Sequence, residues 1–360
     1  MKILDFVDHY LKNYKRCKES WNYEDGCIFK GSLDLYQATG DKKYFQFVEE
    51  HIDEAVTEEG SILKYAVEEF NIDHINCGKV LFTLYDATGN RKYLKGIQEL
   101  YGQLEMHPRT KEGNYWHKKI YPNQVWLDGL YMAMPFYARY EREFKGTNAY
   151  EDIYNQLIVV RNRMFDAEKS LYYHGYDESK VERWSDPTTG LSPNFWSRSV
   201  GWLLMAFADL LEILDRESGQ WAAIRDMFEE AVVGVLKYQD QESGMWYQVM
   251  DRPDGEGNYL ETSGTLMMAY GILKGVRLGQ LLTKYKAFGE KAFEGTVAKY
   301  LDLEKNELGG ICGVAGLGNT PYRDGSYGYY ISEPILPNDH KGVGALFMAY
   351  GEVLKAENNK

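Results

Sequence analysis

Two aspartates stand where helical runs begin among aromatic residues: Asp73 in FNIDHINCGKVLF and Asp128 in YPNQVWLDGLYM. A carboxyl group in an apolar setting keeps its proton at neutral pH, because desolvation disfavours the charged form, and a second carboxylate nearby reinforces the effect. Asp128 follows Val125, Trp126 and Leu127 and fits such an acid, with Asp73 as its charged companion. Either side chain could instead cap its own helix, a common use of Asp at that position. Further along, FWSRSVGW puts Arg198 and Trp202 four residues apart on one helix face, with Trp196 at the helix entry. Two tryptophans around an arginine suit a flat sugar ring bearing a carboxylate: the rings stack and the guanidinium grips the anion. The same three residues also fit core packing with a capping arginine. His117 in WHKKIYP and His174 in LYYHGYDESK are candidate donors to sugar hydroxyls, or simply exposed loop histidines.

Helices must bring these residues together. Runs beginning near Gly31, Gly78, Gly129, Gly201, Gly264 and Gly342 are small and apolar nearly all round. Each follows a more polar stretch, such as Lys42–Val56 or Trp221–Tyr238, whose apolar residues form one stripe. A helix apolar all round is buried, and a striped one lies outside it with a face to water. Six such pairs predict twelve helices, alternately outer and inner, in a closed ring of six hairpins. The expected fold is an all-α (α/α)6 barrel, a single domain over residues 1–360. LYQATGDKKY (Leu35–Tyr44) recurs as LYDATGNRKY (Leu84–Tyr93), and EFKGTNAY (Glu143–Tyr150) is a blurred third copy. Each predicts a glycine C-cap followed at once by the next helix, so the short turns share one rim. The long connections Gly102–Gln124, Asp166–Asn194, Gln239–Leu260 and Leu308–Asp339, rich in Trp, Tyr, His and Gly, share the other. That rim, where the inner helices present their N-termini, is the expected cleft.

Other chemistries find little support. A net charge of −13 argues against nucleic acid and anionic membranes as partners. No HExxH, GxSxG or P-loop pattern occurs; GVAGLG (Gly313–Gly318) reads as a tight loop. The histidines are too scattered to form a helical metal pair, and Asp34, Asp86 and Asp209 fall within helical runs. Cys17, Cys27, Cys77 and Cys312 form no CxxC and are expected to be reduced thiols, which with the charged N-terminal stretch points to the cytoplasm. No apolar run approaches the roughly 20 residues of a membrane span.

With these motifs in view, the chain resembles the unsaturated rhamnogalacturonyl hydrolases of glycoside hydrolase family 105 and, more distantly, the unsaturated glucuronyl hydrolases of family 88. The resemblance covers nearly the whole length and rests on WHKKIYPNQVWLDGLYMA, YYHGYDES, TTGLSPNFWSRSVGW, ETSGTLMMAYGI, GVAGLGNTPYRDGSYGYYISEP and DHKGVGA. It implies an (α/α)6 barrel and a catalytic role for Asp128, with Asp73 as the second carboxylate. It further implies substrate contacts at His117, His174, Trp196, Arg198 and Trp202. Lys118 and Tyr23 are further candidates on the rim, as are Asp339 and Lys341. The implied substrate is an unsaturated uronyl disaccharide or short oligosaccharide left by a polysaccharide lyase, handled without metal or organic cofactor by a monomer or weak homo-oligomer. Hydration of the C4=C5 double bond, rather than attack at C1, would release the next sugar. Alternatives are a glucuronyl hydrolase for glycosaminoglycan or ulvan lyase products, a lyase or ordinary glycosidase on the same ring, and a non-catalytic oligosaccharide-binding toroid.

Overall fold

A computed structural model of the chain describes residues 3–146 and 149–358. The chain opens with α1 (Ile3–Lys12) and α2 (Tyr23–Thr39), followed by α3 (Lys42–Asp53) and α4 (Ile75–Thr88). Next come α5 (Arg91–Met106), α6 (Leu127–Tyr140), α7 (Tyr150–Met164) and α8 (Ser197–Ile213). The series ends with α9 (Gly219–Leu236), α10 (Thr262–Arg277), α11 (Lys286–Tyr300), a short α12 (Tyr327–Ser332) and α13 (His340–Asn358). The inner helices α2, α4, α6, α8, α10 and α13 pack in that order, and α13 closes on α2. This is the (α/α)6 toroid expected from the periodicity.

The outer helices show why a stripe suffices. In α3, Tyr44, Val48 and Ile52 recur every fourth residue and are fully buried, each contributing roughly 1.5–3 kcal/mol. The last hairpin takes its outer helix from the other end of the chain. From α1, the Tyr10 ring meets Phe347 edge-on at 5.9 Å, and its hydroxyl lies 3.0 Å from Nδ1 of His340.

Both copies of the repeated turn use the same wiring. Gly40 (φ 73°) and Gly89 (φ 67°) adopt the left-handed conformation and donate to Tyr36 and Tyr85 carbonyls, ending α2 and α4. Asp41 and Asn90 then cap α3 and α5 through the Lys43 and Lys92 amides. In the third copy, Thr147 and Asn148 lie outside the described residues; α6 runs into a π-helical turn at Glu141–Lys145.

Small residues let the inner helices touch. A Cβ added at Gly344 would lie 2.6 Å from the Cys27 backbone, and one at Gly264 2.7 Å from that of Ser197. Pro135 inside α6 cannot donate to Tyr131, four residues back, and the ammonium of Lys79 takes that carbonyl at 2.9 Å instead. Burial pulls Lys79 down to about 7.

One local expectation needs correction, and the long connections carry ordered structure of their own. The first inner helix starts at Tyr23 rather than near Gly31. Its opening turn carries Glu24 and Asp25, both buried, and Asp25 accepts from the Cys17 amide (2.9 Å) and the Asn22 side chain (2.8 Å). Polar letters therefore hid a buried turn. The long connections are not structureless: they contain four two-stranded antiparallel ladders.

Candidate active site

The long-loop rim is tied together by backbone hydrogen bonds that run from one candidate residue to the next. Ile72, beside Asp73, donates to the carbonyl of His117 (3.2 Å), and His117 donates to Gln124 (2.7 Å). Strand 124–126 pairs antiparallel with strand 175–177, and the Leu127 amide donates to the His174 carbonyl at 3.1 Å. Thus the segments bearing Asp73, His117, Asp128 and His174, far apart in sequence, form one continuous patch.

Each aspartate has its own surroundings. Asp73 is buried and pairs with Lys118 at 2.6 Å; Nε2 of His117 stands 3.6 Å from its other oxygen. Burial alone would raise this carboxyl, but Lys118 and then His117 outweigh it and hold it below the ordinary aspartate value. Asp128 lies in the first turn of α6, where Trp126 occupies the cap position without a side-chain cap bond. Its Oδ2 is buried without a hydrogen-bond partner and lies 3.4 Å from Nε2 of His174. Neither carboxylate caps its helix: α4 starts from His74 without a side-chain cap bond, and the 3-10 turn around Asp73 is capped by Asn71. The capping alternative is therefore removed for both.

The histidines are not exposed either. His117 and His174 are 2% and 0% exposed, so the structure corrects the exposed-loop alternative. The loops pack them between aromatic rings: His117 stacks on Trp126 at 4.2 Å, and His174 sits 4.8 Å from Trp196. Burial pushes His117 down to about 4, so its ring is neutral at pH 7. Gly129, next to Asp128, leaves room for His117, whose Nδ1 would stand 3.4 Å from an added Cβ.

The arginine cluster is packed inside the protein, as its core-packing reading expects. Arg198 is buried, with its guanidinium 4.8 Å from the Trp196 ring centre. Its Nη1 donates to the Cys312 carbonyl (2.6 Å) and to Ser263 Oγ (3.2 Å), and among the described residues the rest of the fork makes no hydrogen bond. Trp202 lies one turn further along α8, buried and stacked on Tyr131 at 5.0 Å. Tyr23 feels both Arg198 and Asp73: burial pushes its phenol well above the usual value, Asp73 adds to this and Arg198 opposes it. Lys118 is committed to Asp73, and Lys341 to Asp339 at 2.8 Å.

Two contributors escaped sequence reasoning. Tyr330, on α12, places its hydroxyl 2.7 Å from Nδ1 of His174. Gln248 accepts from Trp196 Nε1 (3.0 Å) and donates to the Tyr330 carbonyl (3.1 Å). The signal for Tyr330 was its place in GYYISEP; nothing comparable marked Gln248. Among the described residues, no three His, Cys, Asp or Glu side chains are grouped so as to hold a metal ion, and no helix is long and apolar enough to cross a membrane. A separate cavity of about 320 Å³ opens at the short-turn mouth, where cations meet carboxylates, as in the Lys30–Asp34 and Lys274–Asp209 pairs at 2.6 Å.

The chain is thus an (α/α)6 toroid of six helical hairpins with acids, buried histidines and aromatics gathered on one rim. Comparison with known proteins places it: the Glycosyl Hydrolase Family 88 model matches residues 3–357, and the chain belongs to that family. A family 105 glycoside hydrolase from C. acetobutylicum superposes with a TM-score of 0.94 at 43% identity, over 98% of this chain and 99% of that one. Unsaturated rhamnogalacturonyl hydrolase YesR of Bacillus subtilis is 26% identical over 291 residues, 79% of this chain and 78% of that protein. The unsaturated glucuronyl hydrolase of Bacillus sp. GL1, responsible for glycosaminoglycan degradation, shares the fold at a TM-score of 0.67 and 13% identity, covering 97% and 93% of the two chains.

Proposed function

We propose that this glycoside hydrolase removes the unsaturated uronic acid from the non-reducing end of lyase-generated oligosaccharides, with unsaturated galacturonyl-rhamnose from rhamnogalacturonan as the substrate. The observation that carries the reading is the inequality of the two rim carboxylates. Asp73 is held ionised by Lys118 at 2.6 Å, whereas among the described residues Asp128 has no cationic side chain within ion-pair distance other than a histidine. One partner is thus fixed as the charge, and we assign the other the part of proton donor.

Protonated Asp128 delivers its proton to C4 of the enol ether, and positive character develops at C5, where the ring oxygen shares it. Water adds to C5 and gives its proton to the Asp128 carboxylate, restoring the acid. The resulting hemiketal opens by breaking the bond between C5 and the ring oxygen. C1 is then a hemiacetal and collapses to an aldehyde, releasing the next sugar with its glycosidic oxygen. No nucleophile attacks C1, so the two-carboxylate spacing of ordinary glycosidases is not required. The unused donors of Arg198 together with inner-helix N-termini offset the carboxylate of the unsaturated ring.

Choice of the rhamnose-linked substrate draws on the 26%-identical rhamnogalacturonyl hydrolase. The test is a panel of unsaturated disaccharides from rhamnogalacturonan, glycosaminoglycans and ulvan, followed by loss of the ultraviolet absorbance of the conjugated double bond. Fastest loss on the rhamnogalacturonan product is expected. Preference for a glycosaminoglycan product would reassign the substrate, and no loss on any of them would end the proposal.

A further inference from the structure

The buried environment of His174 settles where its proton sits. Its ring is fully buried, with Trp126 at 5.4 Å and Trp196 at 4.8 Å, so it cannot turn over without disturbing both. Nδ1 lies 2.7 Å from the hydroxyl of Tyr330, which is itself fully buried and makes no other hydrogen bond among the described residues. A hydroxyl that accepted from an Nδ1–H would leave its own hydrogen without an acceptor in a dry site. Donation to a bare Nδ1 satisfies both groups. The phenol has a proton to give, since burial raises it well above its usual value. The imidazole hydrogen then resides on Nε2, the nitrogen 3.4 Å from Oδ2 of Asp128.

We propose that Tyr330 is a positioning residue that fixes the Nε2–H tautomer of His174 and, through it, places the acid proton of Asp128 on Oδ1. The proposal rests on Asp128 being the acid. An N–H 3.4 Å from Oδ2, close but not hydrogen-bonded to it, disfavours a proton on that oxygen, which is also the buried one. Oδ1 is left to carry the proton. After transfer to C4 the same N–H donates to the new carboxylate, a contact that tightens as charge develops. The other ionisable groups around Asp128 are His117, neutral at pH 7, with the Asp73–Lys118 pair beyond it. Gln248, fixed to the Tyr330 carbonyl and the Trp196 indole, holds the phenol and the ring wall in register.

Nitrogen-15 spectra of the histidine-labelled full chain give the tautomer directly, with the His174 signals assigned by their loss in His174→Gln. At pH 7, a protonated Nε2 and a bare Nδ1 are expected; an Nδ1–H tautomer or an imidazolium would overturn the proposal. In Tyr330→Phe the His174 signals should show mixed tautomers. Its kcat should fall about tenfold, the worth of one such hydrogen bond, at unchanged KM, and the alkaline limb of the rate profile should move to higher pH as the carboxylate loses its donor. A Tyr330→Phe enzyme with wild-type kcat and pH profile would sink the idea even with Asp128→Asn inactive. Retained turnover in Asp128→Asn would instead remove the acid assignment, whatever the spectra say. If Tyr330→Phe does not fold, the wild-type tautomer alone decides.

Discussion

Replacing Asp128 by Asn separates catalysis from stability, because the side chain does so little for the fold. It caps nothing, its Oδ2 has no hydrogen-bond partner, and the carboxylate is 14% exposed. The stabilisation forgone is at most that of a charge at a helix N-terminus, about 0.3–1 kcal/mol. The variant should therefore melt within a few degrees of the wild type. Turnover is another matter. A positioned general acid contributes roughly 10²–10⁴-fold, so at about 1.4 kcal/mol per decade the barrier should rise by about 3–5 kcal/mol. An amide keeps the size and hydrogen-bonding capacity of the acid, so KM should change little. Initial rates of absorbance loss on the unsaturated disaccharide, over a range of concentrations, measure both constants. More than about a tenth of wild-type kcat in a folded Asp128→Asn protein would refute the assignment.

Asp73→Asn should behave differently: it strands Lys118, costs about 1–3 kcal/mol in chemical denaturation and lowers turnover as well, so full stability in that variant would contradict the ion pair at 2.6 Å. Since the Asp73 carboxyl is held below its ordinary value in the fold, its stabilisation is complete above about pH 4 and is lost as the pH falls further. His117, pushed down to about 4 from an ordinary 6.5, makes the fold lose stability as the pH falls between those values, because the unfolded chain takes up its proton first. Unfolding free energies from pH 7 to 3 should therefore decline in two stages, with His117→Gln flattening the upper and Asp73→Asn the lower. Arg198→Lys keeps the charge but loses the planar fork, and KM should rise about tenfold; an unchanged KM would count against its grip on the uronate. Gly344→Ala pushes a methyl to 2.6 Å from the Cys27 backbone and should cost about 1–3 kcal/mol of stability at unchanged saturating turnover.

The ring of helices was legible because burial on all sides and burial on one stripe leave different periodicities in the sequence. The turns were legible because Gly40 and Gly89 need a conformation that glycine adopts freely and other residues rarely do. What periodicity could not show was the opening turn of α2, where Asp25 is buried by partners outside its own helix. Nor could it show the ladders, the longest of them three residues per strand, which are too short to express an alternation of two. Tyr330 was harder still. It is one of 30 tyrosines, and the atom that matters to it belongs to a histidine 156 positions away.

The same limit explains why the sequence could tell the two aspartates apart only by their immediate neighbours. Each sits at the start of a buried helix, and local sequence describes little beyond that helix. Their neighbours arrive from other loops: Lys118 comes to Asp73 and His174 comes to Asp128. Those loops meet because the toroid sends every long connection to one rim, where backbone pairing between residues 124–126 and 175–177 fixes their register. A one-residue slip in that pairing would turn alternate side chains to the other face and leave the Asp128 turn without its imidazole. The helical ring thus supplies a common edge, and the short ladders on that edge determine which side chains reach each carboxyl.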